Sequence, residues 1–219
     1  IELGIPFSDP MADGIVNQMA AHRALEAGGT TRGVLELIRR FRTTSEIPIV
    51  LFTYLNPVYT YGFQQFHVDA AEAGADGILL LDLPPDEADR NAELAENNSL
   101  KHIRLIAPTT PTDRMPKLAA SSEGFIYYVS REGVTGEQVS LAEGIERNVA
   151  EIKKHTSVPV VVGFGISTPE QAAEVARSSD GVVVGSAIVR QIATNTDSPN
   201  VANVVEAFVK PLVDGTKSV

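Results

Sequence analysis

Seven short apolar runs, rich in β-branched residues, divide the chain at regular intervals. They occupy residues 1–5, 48–53, 77–82, 102–107, 125–130, 159–163 and 181–185. The runs are apolar on both faces rather than alternating, which is typical of parallel strands that helices cover on both sides. After the first gap the runs begin roughly 22–34 residues apart, the length of one strand, one helix and their loops. The pattern therefore predicts repeated β/α units.

The number of units predicts the fold class. Seven β/α units with no sign of reversed strand order indicate an α/β protein, a (β/α)8 TIM barrel whose first β/α unit is missing. A doubly wound parallel sheet is the alternative, because strand order cannot be read from a sequence. The chain starts at Ile1 without Met, and we expect the missing unit to precede it. Residues 1–219 are predicted to form a single domain that ends in an amphipathic helix.

Composition removes several classes of function. The formal net charge of −10 and the lack of a Lys/Arg-rich run argue against nucleic-acid binding. No apolar stretch approaches the roughly 20 residues that cross a membrane. Without cysteine the chain has no thiol nucleophile and no Cys-ligated zinc, and its four histidines are too scattered to predict a metal site. We therefore expect no nucleic acid, no membrane and no metal among its partners.

Glycine-rich turns follow the last two predicted strands, in VVVGFGISTPEQ (160–171) and GVVVGSAIV (181–189). The loops at these two places are the usual phosphate site of a (β/α)8 barrel. Glycines let backbone N–H groups approach a ligand, and helix N-termini favour anions. The two turns together predict phosphate binding, and tight turns without a ligand are the alternative. A third glycine-containing loop, REGVTGE at 131–137, is a candidate lid.

Two carboxylates near the start of the chain have opposite surroundings. Glu2 lies between Ile1 and Leu3 in an apolar run, where desolvation raises the pKa of a carboxyl and suits a general acid or base. A buried basic partner or an exposed strand edge is the alternative for Glu2. Asp13 lies in a turn before a helical segment, where a helix N-cap or a turn-forming residue is the alternative to a functional role.

Five motifs carry a resemblance to a known family. They are ELGIPFSDPMADG (2–14), DLPPDEA (82–88), SREGVTG (130–136), VGFGIST (162–168) and VGSAIV (184–189). In this order and spacing the chain resembles the tryptophan synthase alpha chain family over essentially its whole length. The family consists of (β/α)8 barrels that cleave indole-3-glycerol phosphate to indole and glyceraldehyde 3-phosphate. The resemblance thus implies a carbon–carbon lyase of tryptophan biosynthesis.

The resemblance also implies roles for the residues at matching positions. Glu2 and Asp13 match the two catalytic acids, and Tyr127 matches a pocket tyrosine. Independently of the resemblance, the position of Tyr54, Tyr127 and Tyr128 at strand ends predicts that they line a pocket for a planar substrate. The phosphate ligands, largely backbone N–H groups, fall on Gly136, Gly165, Gly185 and Ser186, and the lid threonine falls on Thr135.

The family's reaction explains why two different acids are needed. An indole carbanion is a poor leaving group, so C3 of the ring must be protonated before the retro-aldol cleavage. A carboxyl of raised pKa, matched by Glu2, can deliver that proton and then accept the proton of the side-chain hydroxyl. A carboxylate that stays ionised, matched by Asp13, can hold the ring N–H and stabilise the developing positive charge.

The family partner is a beta chain, or a fused beta domain, that uses pyridoxal phosphate (PLP) and receives the indole. We therefore expect PLP only in the partner and no cofactor in this chain. Loops at 6–14 and 54–61 are expected to face the partner. The predicted location is the cytoplasm, with a plastid as the alternative because no residues before Ile1 are given.

One departure from the family pattern concerns the loop that carries Asp13. After the sequence ADG the family commonly has Pro and a small hydroxyl residue, whereas Ile15 and Val16 stand here, which leaves the order of this loop open. Two other functions also stay open. One is a different sugar-phosphate-binding TIM barrel, an isomerase or epimerase, and the other is an inert scaffold subunit that activates a beta chain.

Overall fold

The computed structural model describes residues 1–130, 141–163 and 165–219, with the backbone alone at 85, 86 and 141–143. The chain divides into two compact units, Ile1–Ile103 and Arg104–Val219. Each unit holds a four-stranded parallel sheet in which the strands follow one another in chain order. No strand order is reversed within either sheet, so the doubly wound alternative finds no support there.

The first unit alternates strands and helices along the chain. Its elements are β1 (Glu2–Gly4), α1 (Ile15–Glu26), α2 (Thr31–Arg42), β2 (Val50–Thr53), α3 (Leu55–Tyr61), α4 (Phe63–Ala73), β3 (Gly77–Leu80), α5 (Pro85–Asn97) and β4 (Lys101–His102). The pair Gly28–Gly29 separates α1 from α2, and Gly28 has a φ of +81°. Gly28 thus supplies the left-handed residue that ends a helix.

The second unit continues the same alternation. Its elements are β5 (Arg104–Ile106), α6 (Met115–Ala120), β6 (Ile126–Val129), α7 (Leu141–Lys153), β7 (Val160–Gly163), α8 (Pro169–Ala176), β8 (Gly181–Val183), α9 (Ser186–Ala193) and α10 (Val201–Lys217). Within the part of the chain that the structure describes, no helix has the length and apolar character to cross a membrane.

One predicted strand differs from the structure. The run 102–107 is two strands rather than one, because β4 pairs with β3 whereas β5 pairs with β6. The change of partner occurs at Ile103, whose N–H still donates to the carbonyl oxygen of Ile78 at 3.0 Å. A change of pairing partner leaves no mark in an apolar run, so the sequence pattern could not show it.

Each unit has its own apolar core between its sheet and its helices. In the first unit Leu35 and Ile38 of α2 and Phe66 of α4 pack with the buried strand residues Leu51 and Ile78. The second core has the same construction and includes Ile126, Ile152, Val160, Val162 and Ala172. β2 and β3 are largely buried on both faces, as the unbroken apolar runs predict. β1 and β8 differ from this expectation, because none of their residues is fully buried.

A buried polar chain crosses the first core. His67 of α4 and His102 of β4 both contact Asn91 of α5, with its amide 2.9 Å from Nε2 of His67 and 3.0 Å from Nε2 of His102. Nδ1 of His67 lies 2.8 Å from the carbonyl oxygen of Phe63. Burial lowers the pKa of His67 and so favours the neutral ring. The described residues contain no cluster of histidines and carboxylates that could hold a metal ion.

An aspartate clamp joins the N-terminal ends of two neighbouring strands in the first unit. Oδ2 of Asp76 accepts the N–H of Ile49 at 2.7 Å, and the N–H of Asp76 donates back to the carbonyl oxygen of Ile49 at 2.8 Å. Arg42, the last residue of α2, donates to the same carboxylate at 2.6 Å and to the carbonyl oxygen of Gly74 at 2.8 Å. The clamp therefore fixes the end of α2 against the starts of β2 and β3.

The second unit repeats this arrangement. Asp180 accepts the N–H of Val160 at 2.8 Å, donates its own N–H to the carbonyl oxygen of Val160 at 2.9 Å, and pairs with Lys153 at 2.6 Å. Lys153 is the last residue of α7, as Arg42 is of α2. Both clamps thus lie at the edge where the strands begin.

We expect Asp76→Ala to lower the free energy of unfolding by about 1–3 kcal/mol, because it leaves the N–H of Ile49 without its acceptor and removes the carboxylate that pairs with Arg42. Urea unfolding measures the change. The matched control is Asp89→Ala, at an exposed position of α5, with an expected change within about 0.5 kcal/mol. Equal effects of the two substitutions would contradict a stabilising role for the clamp.

Candidate active site

Glu2 lies in β1, and its carboxyl is largely removed from water. Its Oε1 is buried and finds no hydrogen-bond partner among the described residues. Burial raises the pKa of the Glu2 carboxyl to about 7. The alternative of a buried basic partner is not observed in the described part of the chain, since no Lys or Arg side chain forms an ion pair with Glu2 there. The local environment is therefore that of a carboxyl poised between its two protonation states near neutral pH.

Tyr54 holds the second acid in place. The residue follows β2, the neighbour of β1, and its hydroxyl donates to Oδ2 of Asp13 at 2.8 Å and accepts the N–H of Ala12 at 3.0 Å. The ring of Phe7 packs against it at a centroid distance of 5.4 Å. Burial and then the hydrogen bond to Asp13 raise the pKa of Tyr54. The hydroxyl thus keeps its proton and remains a donor to the carboxylate.

The alternative of a helix N-cap at Asp13 is wrong. The N-cap of α1 is Gly14, and no side chain caps this helix. Asp13 is instead held by the first turn of α1, because Nδ2 of Asn17 donates to its Oδ1 at 3.4 Å and Nε2 of Gln18 donates to its carbonyl oxygen at 2.9 Å. Each carboxylate oxygen of Asp13 therefore has one donor, and the loop is ordered by hydrogen bonds in the absence of the family's proline.

Tyr127 occupies β6, and its ring depends on a glycine in the adjacent strand. The register pairs Tyr127 with Val161 and Val129 with Gly163 of β7. A Cβ atom on Gly163 would overlap the Tyr127 hydroxyl and lie 2.8 Å from Cζ of the ring and 3.1 Å from Cβ of Val183. Because real Cβ contacts are not this short, Gly163 is the residue that makes room for the tyrosine.

The two glycine turns of the second unit differ in whether their backbone conformation requires glycine. Gly165, after β7, has a φ of +56°, a conformation that favours glycine. Gly185, after β8, has a φ of −106° and open space where a Cβ would lie, so packing does not demand a glycine there. Gly185 is the N-cap of α9 and Ser186 is its first residue. The N-cap of α8 is Thr168, whose hydroxyl accepts the N–H of Gln171 at 3.3 Å.

The predicted site residues fall into three groups. In the first unit, Glu2 lies in β1, and Asp13 is fixed to the end of the adjacent strand. In the second unit, Tyr127, Gly165 and Gly185 lie in or directly after the three consecutive strands β6, β7 and β8. Thr135 and Gly136, predicted as lid and phosphate ligand, lie outside the described residues.

Two features of the site were not foreseen from the sequence. Tyr54 was expected to line a pocket, but its bond to Asp13 joins residues 41 positions apart and has no local signal. Asn17 was not singled out, although its spacing of four residues from Asp13 at the start of a helical pattern is a signal that could have found it.

Comparisons with known proteins agree with one another. A model of the family described as "Tryptophan synthase alpha chain" matches residues 1–217. The tryptophan synthase alpha chain of Opitutus terrae is 50% identical over 218 residues, 99% of this chain and 82% of that protein. The alpha chain of Geobacter sulfurreducens is 52% identical over 190 residues, 87% of this chain and 72% of that protein.

Solved structures give the same result. A crystal structure of tryptophan synthase subunit alpha from Legionella pneumophila superposes with a TM-score of 0.86 at 39% identity, over 100% of this chain and 81% of that one. A mutant alpha-subunit from Pyrococcus furiosus superposes with a TM-score of 0.87 at 37% identity, over 97% of this chain and 85% of that one. These structures confirm the predicted fold class, the α/β TIM barrel. The chain belongs to the tryptophan synthase alpha chain family, the lyases that cleave indole-3-glycerol phosphate in tryptophan biosynthesis.

Proposed function

We propose that this chain releases indole from indole-3-glycerol phosphate with Glu2 as general acid and base and Asp13 as the carboxylate that holds the ring N–H. The observation that carries these roles is the contrast between the two acids. The Glu2 carboxyl is buried with a pKa of about 7, whereas Asp13 accepts a hydrogen bond at each carboxylate oxygen. Two acids in such different surroundings can take different protonation states at one pH.

The proposed steps use the two acids in turn. Protonated Glu2 transfers its proton to C3 of the indole ring, and the ring becomes an electron-accepting indolenine whose positive charge Asp13 stabilises. The bond between C3 and the first glycerol carbon then breaks, and its electron pair restores the aromatic ring. The hydroxyl proton of that carbon passes to ionised Glu2 as the aldehyde forms. The products are indole and glyceraldehyde 3-phosphate, and Glu2 is again protonated.

Other residues are proposed to bind and orient the substrate. Tyr127 borders the ring pocket, and backbone N–H groups at Gly136, Gly165 and Gly185, with Ser186, hold the phosphate under the lid residue Thr135. No described residue occupies the space where a Cβ atom of Gly165 or Gly185 would lie, which supports this assignment because ligand oxygens can approach the backbone there. Since one family model matches residues 1–217, we also propose that residues 1–219 function as a single domain.

Two segments are proposed to face a PLP-dependent beta chain or beta domain that takes the indole, this chain itself needing no cofactor. They are the loop at 6–14 and residues 54–61, which were expected to form a loop but are helix α3 from Leu55 onward. Hydrogen bonds from Ala12 to Tyr54 and from Tyr54 to Asp13 join the two segments. Apolar side chains on both segments are exposed, Met11 at 90% and Tyr59 at 43%. Such exposed groups are characteristic of protein interfaces.

An indole-release assay with indole-3-glycerol phosphate tests the function. We expect equimolar indole and glyceraldehyde 3-phosphate, with a higher rate when a beta chain is added. A chain that accelerates a beta chain but releases no indole under either condition would be the inert scaffold instead. Conversion of another sugar phosphate without indole release would indicate the isomerase or epimerase.

A further inference from the structure

Asn17 places an unused acceptor beside Asp13. Its Nδ2 donates to Oδ1 of Asp13 at 3.4 Å, while its own Oδ1 is buried and has no hydrogen-bond partner in the parts of the chain that the structure describes. Buried side-chain oxygens in folded proteins almost always have a donor, so an orphaned one requires an explanation.

The chemistry of the two groups fixes the orientation of the amide. Ionised Asp13 can only accept hydrogen bonds, so the NH2 group of Asn17 must face it and the amide oxygen must face away. A rotation of the amide that gave Oδ1 a different neighbour would set an oxygen against the carboxylate. The amide atom without a partner is therefore the oxygen, Oδ1.

The backbone also prevents Asn17 from moving away. Asn17 lies in the first turn of α1, and its N–H donates to the carbonyl oxygen of Gly14 at 3.0 Å. The next residue, Gln18, donates its backbone N–H to the carbonyl oxygen of Gly14 at 3.0 Å. Its side-chain Nε2 donates to the carbonyl oxygen of Asp13 at 2.9 Å. The first turn of α1 and the Asp13 loop are thus joined by hydrogen bonds. These bonds fix the backbone of Asn17 and therefore the position of its amide.

We propose that Asn17 is a substrate-positioning residue whose Oδ1 accepts a hydrogen bond from a donor group of the bound substrate. The proposal rests on the proposed function, in which Asp13 meets the ring N–H. Asp13 and Oδ1 of Asn17 would then present two adjacent acceptors to a molecule whose donors are the ring N–H and the glycerol hydroxyls. Substrate binding supplies the donor that the folded chain lacks, while Nδ2 keeps Asp13 oriented.

The test compares Asn17→Leu with the unmodified protein in the full chain. Leu has nearly the shape of Asn and removes both the donor and the orphaned acceptor. We expect the KM for indole-3-glycerol phosphate to rise about tenfold, the scale of one hydrogen bond, with a smaller fall in kcat. Thermal stability should change little, because the loss of the bond to Asp13 and the removal of the orphaned oxygen have opposite effects. Asn203→Leu, at an exposed position of α10, controls for placing Leu in a helix.

Binding measurements identify the donor and do not depend on turnover. Titration calorimetry with indole and with benzothiophene, which has the same shape but no N–H, measures the contribution of the ring N–H. If the ring N–H is the donor to Asn17, the ratio of the affinity for indole to the affinity for benzothiophene falls about tenfold in Asn17→Leu. An unchanged preference with weaker binding of indole-3-glycerol phosphate assigns a glycerol hydroxyl.

Unchanged affinity for indole and for indole-3-glycerol phosphate in Asn17→Leu would overturn the proposal, even if the enzyme is active. Failure of the unmodified protein to release indole would instead contradict the proposed function, and the calorimetric comparison would still report on Asn17. A loss of stability with unchanged affinity would show that Asn17 only supports the loop.

Discussion

Glu2→Gln is expected to lower kcat/KM for indole release by about 10²–10⁴, the usual contribution of a general acid–base group. The amide has nearly the shape of the carboxyl but can neither deliver a proton to C3 of the indole ring nor accept one from the glycerol hydroxyl. Steady-state assays between pH 5.5 and 8.5 measure the change. For the unmodified protein we expect the rate to depend on a group with a pKa near 7, the value that burial gives Glu2, and we expect this dependence to be absent in the variant.

The same substitution is expected to stabilise the folded protein above neutral pH. Burial raises the Glu2 pKa from 4.5 to about 7, so the folded state binds more protons than the unfolded state between these values. Stability therefore falls as the pH rises through this window and stays low above it. Since each pH unit corresponds to about 1.36 kcal/mol, Glu2→Gln gains at most about 3 kcal/mol at pH 8 and almost nothing at pH 4.5.

Urea unfolding at pH 4.5, 6 and 8 checks the sign. Glu206→Gln, at an exposed position of α10, is the matched control and should show no such pH-dependent gain. Turnover of Glu2→Gln within about tenfold of the unmodified protein would remove the acid–base assignment. A stability difference that grows as the pH falls would contradict the burial of the carboxyl.

Gly163→Ala is expected to lower the enzyme's activity strongly because it displaces the ring of Tyr127. The added Cβ would overlap the Tyr127 hydroxyl and lie 2.8 Å from Cζ, so the ring must leave its position. Because we propose that Tyr127 positions the substrate, we expect its displacement to reduce kcat/KM by about 10²-fold. Overpacking should also lower the free energy of unfolding by about 1–3 kcal/mol. Indole-release kinetics and urea unfolding measure the two effects.

The control for this prediction is Gly4→Ala. Gly4 also lies in a strand, but nothing stands within 4 Å of the position that its Cβ would take. We expect Gly4→Ala to leave the stability within about 0.5 kcal/mol. Full activity in Gly163→Ala would mean either that the Tyr127 ring is free to move or that it does not meet the substrate.

The fold followed from the sequence where burial on both faces left an unbroken apolar run. The same reasoning failed at 102–107, because the run passes from one pairing partner to another at Ile103 without any change of composition. The candidate acid Glu2 could be found for a related reason. A charged residue inside an apolar run is visible in the sequence alone, and the structure gives its carboxyl the raised pKa that the run predicts.

The contacts that hold the candidate site residues in position could not be predicted from the sequence. The hydrogen bond between Tyr54 and Asp13 and the space that Gly163 leaves for Tyr127 both depend on strand register. Register joins residues that are distant in the sequence, and no local pattern records it. The sequence could thus show which groups are chemically unusual, but it could not show what holds them.

The aspartate clamps lie at the opposite end of their strands from several of the residues that we propose to bind the substrate or to orient Asp13. Asp76 and Asp180 fix the places where strands begin, whereas Tyr54, Gly165 and Gly185 follow the places where strands end. The clamps contain no group needed for chemistry, and the loops beyond the strand ends contain little of the core. Mutations can therefore accumulate in the loops and alter specificity while the framework persists, which makes this chain a tolerant starting point for the evolution of new reactions.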